Sequence, residues 1–509
     1  MERLTGLDGA FLSLESPTTH LQILGALIFD PTDVEGGVDF WRIRNLVADR
    51  VPLVPPFRQR MVEVPFGLQH PSMVDDPDFD IDYHVRRASL PAPGRLEELE
   101  ALVADLASRP LDRSRPLWEF HVVEGLEHGH LAVVPKVHHS IIDGVSGAEV
   151  MAVFFDLSSE AAPRQLFARR RGVRSSGRQD DHHLPDGADE NRGAESGPAW
   201  APDPLPGEVA RWRDVVGSLP GHADTLLRTV SRTLQTARSL SDRNRSVLGS
   251  LPPSPFEAPR TSVNRAISPH RRVAFAALPL QDVRRIREVL GGTTNDVVLA
   301  ATSGAMRTFF AERGEVLESS LVAMVPVSVR TESERGALGN RVSAILVSLA
   351  SGVEDATARL RHIRDGMQVA KEQSKSVGPE VFAGWAQAVF PAVATRLSRL
   401  VTNLRLFDHL APMFNLIISN VPGPDFPLYL AGARMVAMYP LGPIIEGVGV
   451  NVTVFSYLDT MYVGVQACWD LAPDIATIAR GLEESLEELV READRRDRPV
   501  PWWHAELPA

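Results

Sequence analysis

Between residues 158 and 206 the chain is made largely of Arg, Asp, Gly, Pro, Ser and Ala, with few large apolar side chains. Such a stretch cannot bury enough apolar surface to offset the entropy lost on ordering it. Any core must therefore form on either side of it. We expect an interdomain linker at 158–206, a first half-domain at 1–157 and a second at 207–509. The length agrees: 509 residues, 44% of them hydrophobic, exceed one ordinary core and suit two. His182 and His183 have no further ligand at metal spacing and read as solvated loop.

Both halves mix strand-like and helix-like patterns. In the first, Leu21 to Phe29 reads as a strand and Leu96 to Ala107 has helical apolar spacing. Trp118 to Gly125 and Leu131 to His139 read as a hairpin. In the second, strands are expected at 273–278, 321–329, 343–349, 414–419 and 448–457. Helices are expected at 208–240, 280–290 and 295–310. The interleaving predicts an α/β class (α+β, mixed sheets).

The formal net charge of −12 and the pI near 5.7 exclude a basic nucleic-acid footprint. The single cysteine, Cys468, rules out an intrachain disulfide, fits a reducing compartment and reads as a small core residue. No signal peptide is apparent at the N-terminus, and no uncharged apolar run reaches the roughly 18 residues of a spanning helix. The expected location is cytoplasmic. Residues 381–401, with Trp385 and Phe390, are either a buried helix kinked by Pro391 or an interfacial helix that docks on lipid.

The chemistry concentrates in His138-His139-Ser140-Ile141-Ile142-Asp143-Gly144, where a strand runs into a turn. Successive strand residues face opposite ways, so one histidine should face a cleft and the other the interior. A neutral imidazole can take a proton from a hydroxyl as its oxygen attacks a carbonyl. Asp143 can orient an imidazole or pair with an Arg, and Gly144 permits positive φ or close backbone approach. Two satisfied histidines beside a turn would leave the same pattern. No Gly-x-Ser-x-Gly elbow, His-Glu-x-x-His site or Gly-Lys-Ser/Thr phosphate loop is present, so a histidine base acting directly on a bound acceptor is the simplest chemistry.

These residues resemble the bacterial wax ester synthase/diacylglycerol acyltransferases. His138, His139, Asp143 and Gly144 meet the His-His-x-x-x-Asp-Gly pattern, and Pro116-Leu117-Trp118 matches the Pro-Leu-Trp motif at similar spacing. Further landmarks follow at Leu7 to Leu12, Thr294 to Val297, Leu338 to Asn340 and Ser419 to Pro424. The resemblance spans nearly the whole chain apart from the linker. It implies two chloramphenicol-acetyltransferase-like half-domains meeting at a central cleft, a fold shared with peptide-synthetase condensation domains. It further implies His139 as the base and Asp143 as a structural residue tied to an Arg. Long-chain acyl-CoA would be the co-substrate, with no bound cofactor and no metal. The acceptor would be diacylglycerol or a fatty alcohol, met at the inner membrane or a lipid-droplet surface as a peripheral protein. A same-fold acyltransferase with another acceptor, or a non-enzymatic acyl-chain binder, are the alternatives.

Secondary candidates for substrate binding are Pro116, Leu117 and Trp118, Asn295, and Ser419 with Asn420. Trp118 reads as a buried wall that can also line an acyl channel. Asn295 reads either as a helix cap or as a buried polar contact near the site. Ser419 and Asn420 precede a Pro-Gly-Pro turn that the resemblance puts at the domain junction.

Overall fold

The computed structural model describes residues 2–4, 6–63, 70–141, 151–160, 257–328, 342–376, 405, 408–409 and 411–497. Asp143, Gly144, most of the 158–206 segment, the 208–240 helix, the 338–340 landmark and residues 381–401 lie outside them.

Two six-stranded mixed sheets form the frame. The first is built around β1 (Gln22–Asp30), β2 (Val85–Ser89), β3 (Trp118–Glu124) and β4 (Leu131–His138). The second takes β5 (Arg271–Pro279), β6 (Val322–Ser328), β7 (Val342–Ser348), β8 (Leu416–Val421), β11 (Val450–Tyr457) and β12 (Thr460–Cys468), in the order β7-β6-β8-β11-β12-β5. Between β8 and β11 the chain supplies β9 (Tyr429–Leu430) and β10 (Ala433–Leu441). These join the first sheet, whose order is β9-β10-β1-β4-β3-β2. The first sheet is thus completed by residues from beyond 207.

Period-two alternation sorts each strand between cores. On β4, Val133 and Val137 join a core with α2 (Phe40–Arg50), while Ala132 and Val134 face α3 (Leu96–Ala107). The helices α4 (Leu280–Leu290), α5 (Thr294–Glu312), α6 (Ala356–Ser376) and α7 (Ala476–Asp497) cover the outer face of the second sheet. Its other face meets the first sheet, where Phe275 stacks on Tyr439 of β10 with ring centroids 4.4 Å apart. The sheets approach closely at Gly464: a Cβ there would lie 1.9 Å from the Pro440 carbonyl oxygen, so glycine is required. Cys468 is fully buried among Ile267 and Ile444, as expected of a small core residue.

Candidate active site at the end of β4

β3 and β4 form the expected antiparallel hairpin, with Trp118 opposite Val137 and Phe120 opposite Pro135. At its end the backbone is held on both sides. His138 N–H donates to Leu117 O at 3.0 Å, and His139 N–H donates to Leu21 O at 2.8 Å. Ile141 N–H donates to His138 O at 3.1 Å and closes a turn around His139 and Ser140.

The two histidines differ as alternation predicts. His138 is 1% exposed, and burial, with a smaller push from Arg113, drives its pKa down to about 3. It is therefore neutral. Ser140 N–H donates to its Nδ1 at 3.1 Å, so Nδ1 is an acceptor and the ring proton sits on Nε2. The Ser140 hydroxyl also meets Nδ1, at 2.7 Å. Nε2 faces Glu15 Oε1 at 3.8 Å. Glu15 is itself clamped by Arg113 at 2.5 Å, and Arg113 donates to Leu12 O at 2.7 Å. His138 is thus locked as a pin for the turn. His139 is only partly buried and lies against Phe11 of α1 (Gly6–Leu14), with ring centroids 4.5 Å apart.

The structure thus brings together the opening segment, Pro116-Leu117-Trp118 and the histidine pair. Pro116 and Leu117 are buried, and Leu117 contributes its carbonyl. Trp118 is fully buried, stacked between Phe57 and His84 at 4.8 and 4.5 Å. Its indole N–H donates to Phe57 O at 2.7 Å, which makes it a sealed wall. Past the motif the chain is held by Arg50, which donates to Phe154 O and to both carboxylate oxygens of Asp156.

Ser419 and Asn420 point to opposite faces of β8. Asn420 follows Leu416 and Ile418 toward the helices, whereas Ser419 faces the first half. Ser419 is opposite Thr453, whose hydroxyl accepts from Gly442 N–H at 3.1 Å and donates to Asn451 Oδ1 at 2.8 Å. Gly442 follows Leu441, which pairs with Leu24, two residues from the Gln22–His138 pair. Ser419 and Thr453 therefore sit beside the histidine end of the first sheet.

Asn295 belongs to the second half. It is the second residue of α5, behind the second sheet, and the cap is Thr293: its hydroxyl accepts from Asp296 N–H while Asp296 accepts from Thr293 N–H. The capping role considered for Asn295 therefore belongs to Thr293.

Sequence reasoning missed Glu15, Arg113, Asn451 and Thr453, none of which carries a local pattern. It also missed a seam cluster in which the Thr18 hydroxyl donates to Glu446 and buried Arg271 donates to Thr18 O. Beside it His20 is driven down to about 4, by burial first and then by Arg271. Among the described residues there is no group of three His, Cys, Asp or Glu able to hold a metal ion, and no helix long and apolar enough to cross a membrane.

Two mixed sheets, the first completed by strands from the second half of the chain, define the fold class. The first condensation domain of the CDA synthetase shares that fold at TM-score 0.53 and 15% identity, over 98% of this chain and 99% of that one. Within the class, the wax ester synthase/diacylglycerol acyltransferase catalytic domain matches residues 4–298, and the WS/DGAT C-terminal domain matches 338–490. A Mycobacterium tuberculosis H37Rv protein named as a diacylglycerol O-acyltransferase is 35% identical over 98% of this chain and 92% of its own. The structure of the wax ester synthase/diacylglycerol acyltransferase from Marinobacter aquaeolei VT8 superimposes at TM-score 0.65, with 29% identity over 97% of this chain and 100% of that one. The chain belongs to the wax ester synthase/diacylglycerol acyltransferase family and is an acyltransferase.

Proposed function

We propose that the chain transfers a long-chain acyl group from acyl-CoA to the free hydroxyl of diacylglycerol, with His139 as general base. His139 takes the hydroxyl proton as the oxygen attacks the thioester carbonyl. The tetrahedral adduct expels the CoA thiolate, which takes the proton back from the imidazolium. No covalent acyl-enzyme is needed, and fatty alcohols present the same nucleophile. The observation that carries this reading is the asymmetry of the doublet. His138 is buried, neutral and pinned through Ser140, while His139, one residue on, is partly open. Diacylglycerol and its product are insoluble in water, so the reading requires contact with a membrane or lipid-droplet surface. Asp143, outside the described residues, keeps its proposed role as a structural partner of an arginine.

The test is release of CoA thiol from palmitoyl-CoA with dioleoylglycerol, hexadecanol or no acceptor. His139→Ala should lower the acceptor-dependent rate by more than about 10²-fold, the usual contribution of a positioned base. A folded variant that keeps the wild-type rate would refute the base assignment. Release independent of acceptor would refute transfer.

A further inference from the structure

An apolar chamber of about 150 Å³ lies on the α2 side of the first sheet, bounded by Phe57, Phe154, Leu430 and other side chains that offer no hydrogen-bonding group. Its floor includes Val133, Pro135 and Val137 of β4. These share one strand face, and His139 opens the turn that follows β4. From His139 to Val133 the chain advances roughly 20 Å at strand rise.

A row across the sheet lacks bulk at its centre: Pro440 of β10 pairs with Gly25 of β1, which lies beside Pro135 of β4. Gly25 lines the chamber. A glycine inside a central strand weakens the sheet, so it calls for a reason. Its φ is not in the positive region. Backbone crowding does not require it either, since an added Cβ would meet the Leu27 Cδ1 methyl at 3.1 Å, with Pro135 and the Tyr439 carbonyl oxygen at 3.8 Å. What the missing side chain does leave is room in the chamber.

We propose that this chamber holds the hydrocarbon chain of the acyl-CoA donor and that Gly25 sets the chain length it accepts. The idea rests on the acyl-CoA reading above. A wall with no polar side-chain group excludes the CoA moiety and the glycerol backbone, leaving a methylene chain as occupant. The donor brings one unbranched chain with its carbonyl at the end that must reach His139, whereas diacylglycerol brings two.

The experiment measures kcat/KM for octanoyl- to stearoyl-CoA with dioleoylglycerol fixed, then varies the acceptor chains with palmitoyl-CoA fixed. Gly25→Val should lower the palmitoyl-to-octanoyl ratio roughly 10- to 100-fold, as a few methylenes lose their burial, and leave the acceptor profile in place. A uniform loss across donors, or a shift confined to acceptor length, overturns the proposal. A second measurement uses the wild-type chain and does not depend on the variant folding. Palmitoyl-CoA carrying a diazirine near its terminal carbon is photolysed and the labelled residues are mapped. Label on the chamber lining, within 22–30 or 131–138 or at Phe57, Phe154 or Leu430, supports the chamber, and label confined elsewhere overturns it. Crosslinking reads binding without turnover, so failure of the histidine base and failure of the chamber are separable.

Discussion

Glu100 offers a quantitative test of the seam between the halves. It projects from α3, and its carboxylate accepts Phe275 N–H at 2.7 Å. Phe275 lies on β5, the edge strand of the second sheet, so Glu100 satisfies a donor that an edge leaves open. Burial pushes its carboxyl up from 4.5 to about 7, against the opposing pull of the Phe275 hydrogen bond, with Glu97 adding a smaller push. In the unfolded chain the group loses its proton near pH 4.5, and in the folded chain near 7. Between those values the unfolded state binds fewer protons, so stability falls as pH rises, and the loss is complete above about 7. The full shift corresponds to about 3 kcal/mol. The side chain is only partly buried, and solvent screening brings the expected figure to about 2 kcal/mol. Glu100→Gln keeps an acceptor for Phe275 and removes the charge. Urea denaturation should show the variant more stable than wild type by about 2 kcal/mol at pH 8 and by little at pH 5. A variant less stable at pH 8 would show that the ionised carboxylate stabilises the seam, and a difference that ignores pH would show that its titration is not coupled to folding; either result refutes this reasoning.

Three further perturbations probe the frame and the pin. Gly464→Ala should cost about 1 to 3 kcal/mol, because its Cβ must displace the Pro440 carbonyl; an unchanged denaturation midpoint would contradict the close approach of the sheets. Trp118→Phe removes the hydrogen bond to Phe57 and should cost about 1 to 3 kcal/mol, with kcat/KM per folded molecule falling less than about tenfold. A thousandfold loss in a folded variant would make Trp118 a substrate contact. Ser140→Ala leaves Nδ1 of His138 with the backbone N–H alone, so about 1 kcal/mol of stability should go and kcat should fall with KM unchanged. A rise in KM alone would mean that Ser140 touches substrate and does not pin the turn.

What was legible in the sequence was whatever short-range physics decides. The helices at Leu96–Ala107 and Leu280–Leu290 end where the apolar spacing ends, and the β3–β4 hairpin follows from alternation on either side of a turn. Alternation also separates His138 from His139, because adjacent strand residues cannot share a face. What was not legible depends on partners distant in sequence. Nothing around Ala433–Leu441 announces that it pairs with β1; Pro440 argues against a strand there, and the absence of a side chain at Gly464 leaves room for the Pro440 carbonyl. Glu15 and Arg113 are ordinary surface types until folding carries them beside His138. The same logic explains why the doublet alone left two readings open. Its pattern fixes which ring is inside and which is not, but a sealed imidazole becomes a pin only when a turn and a distant carboxylate close around it. An open imidazole becomes a base only when the fold brings an acceptor hydroxyl within its reach.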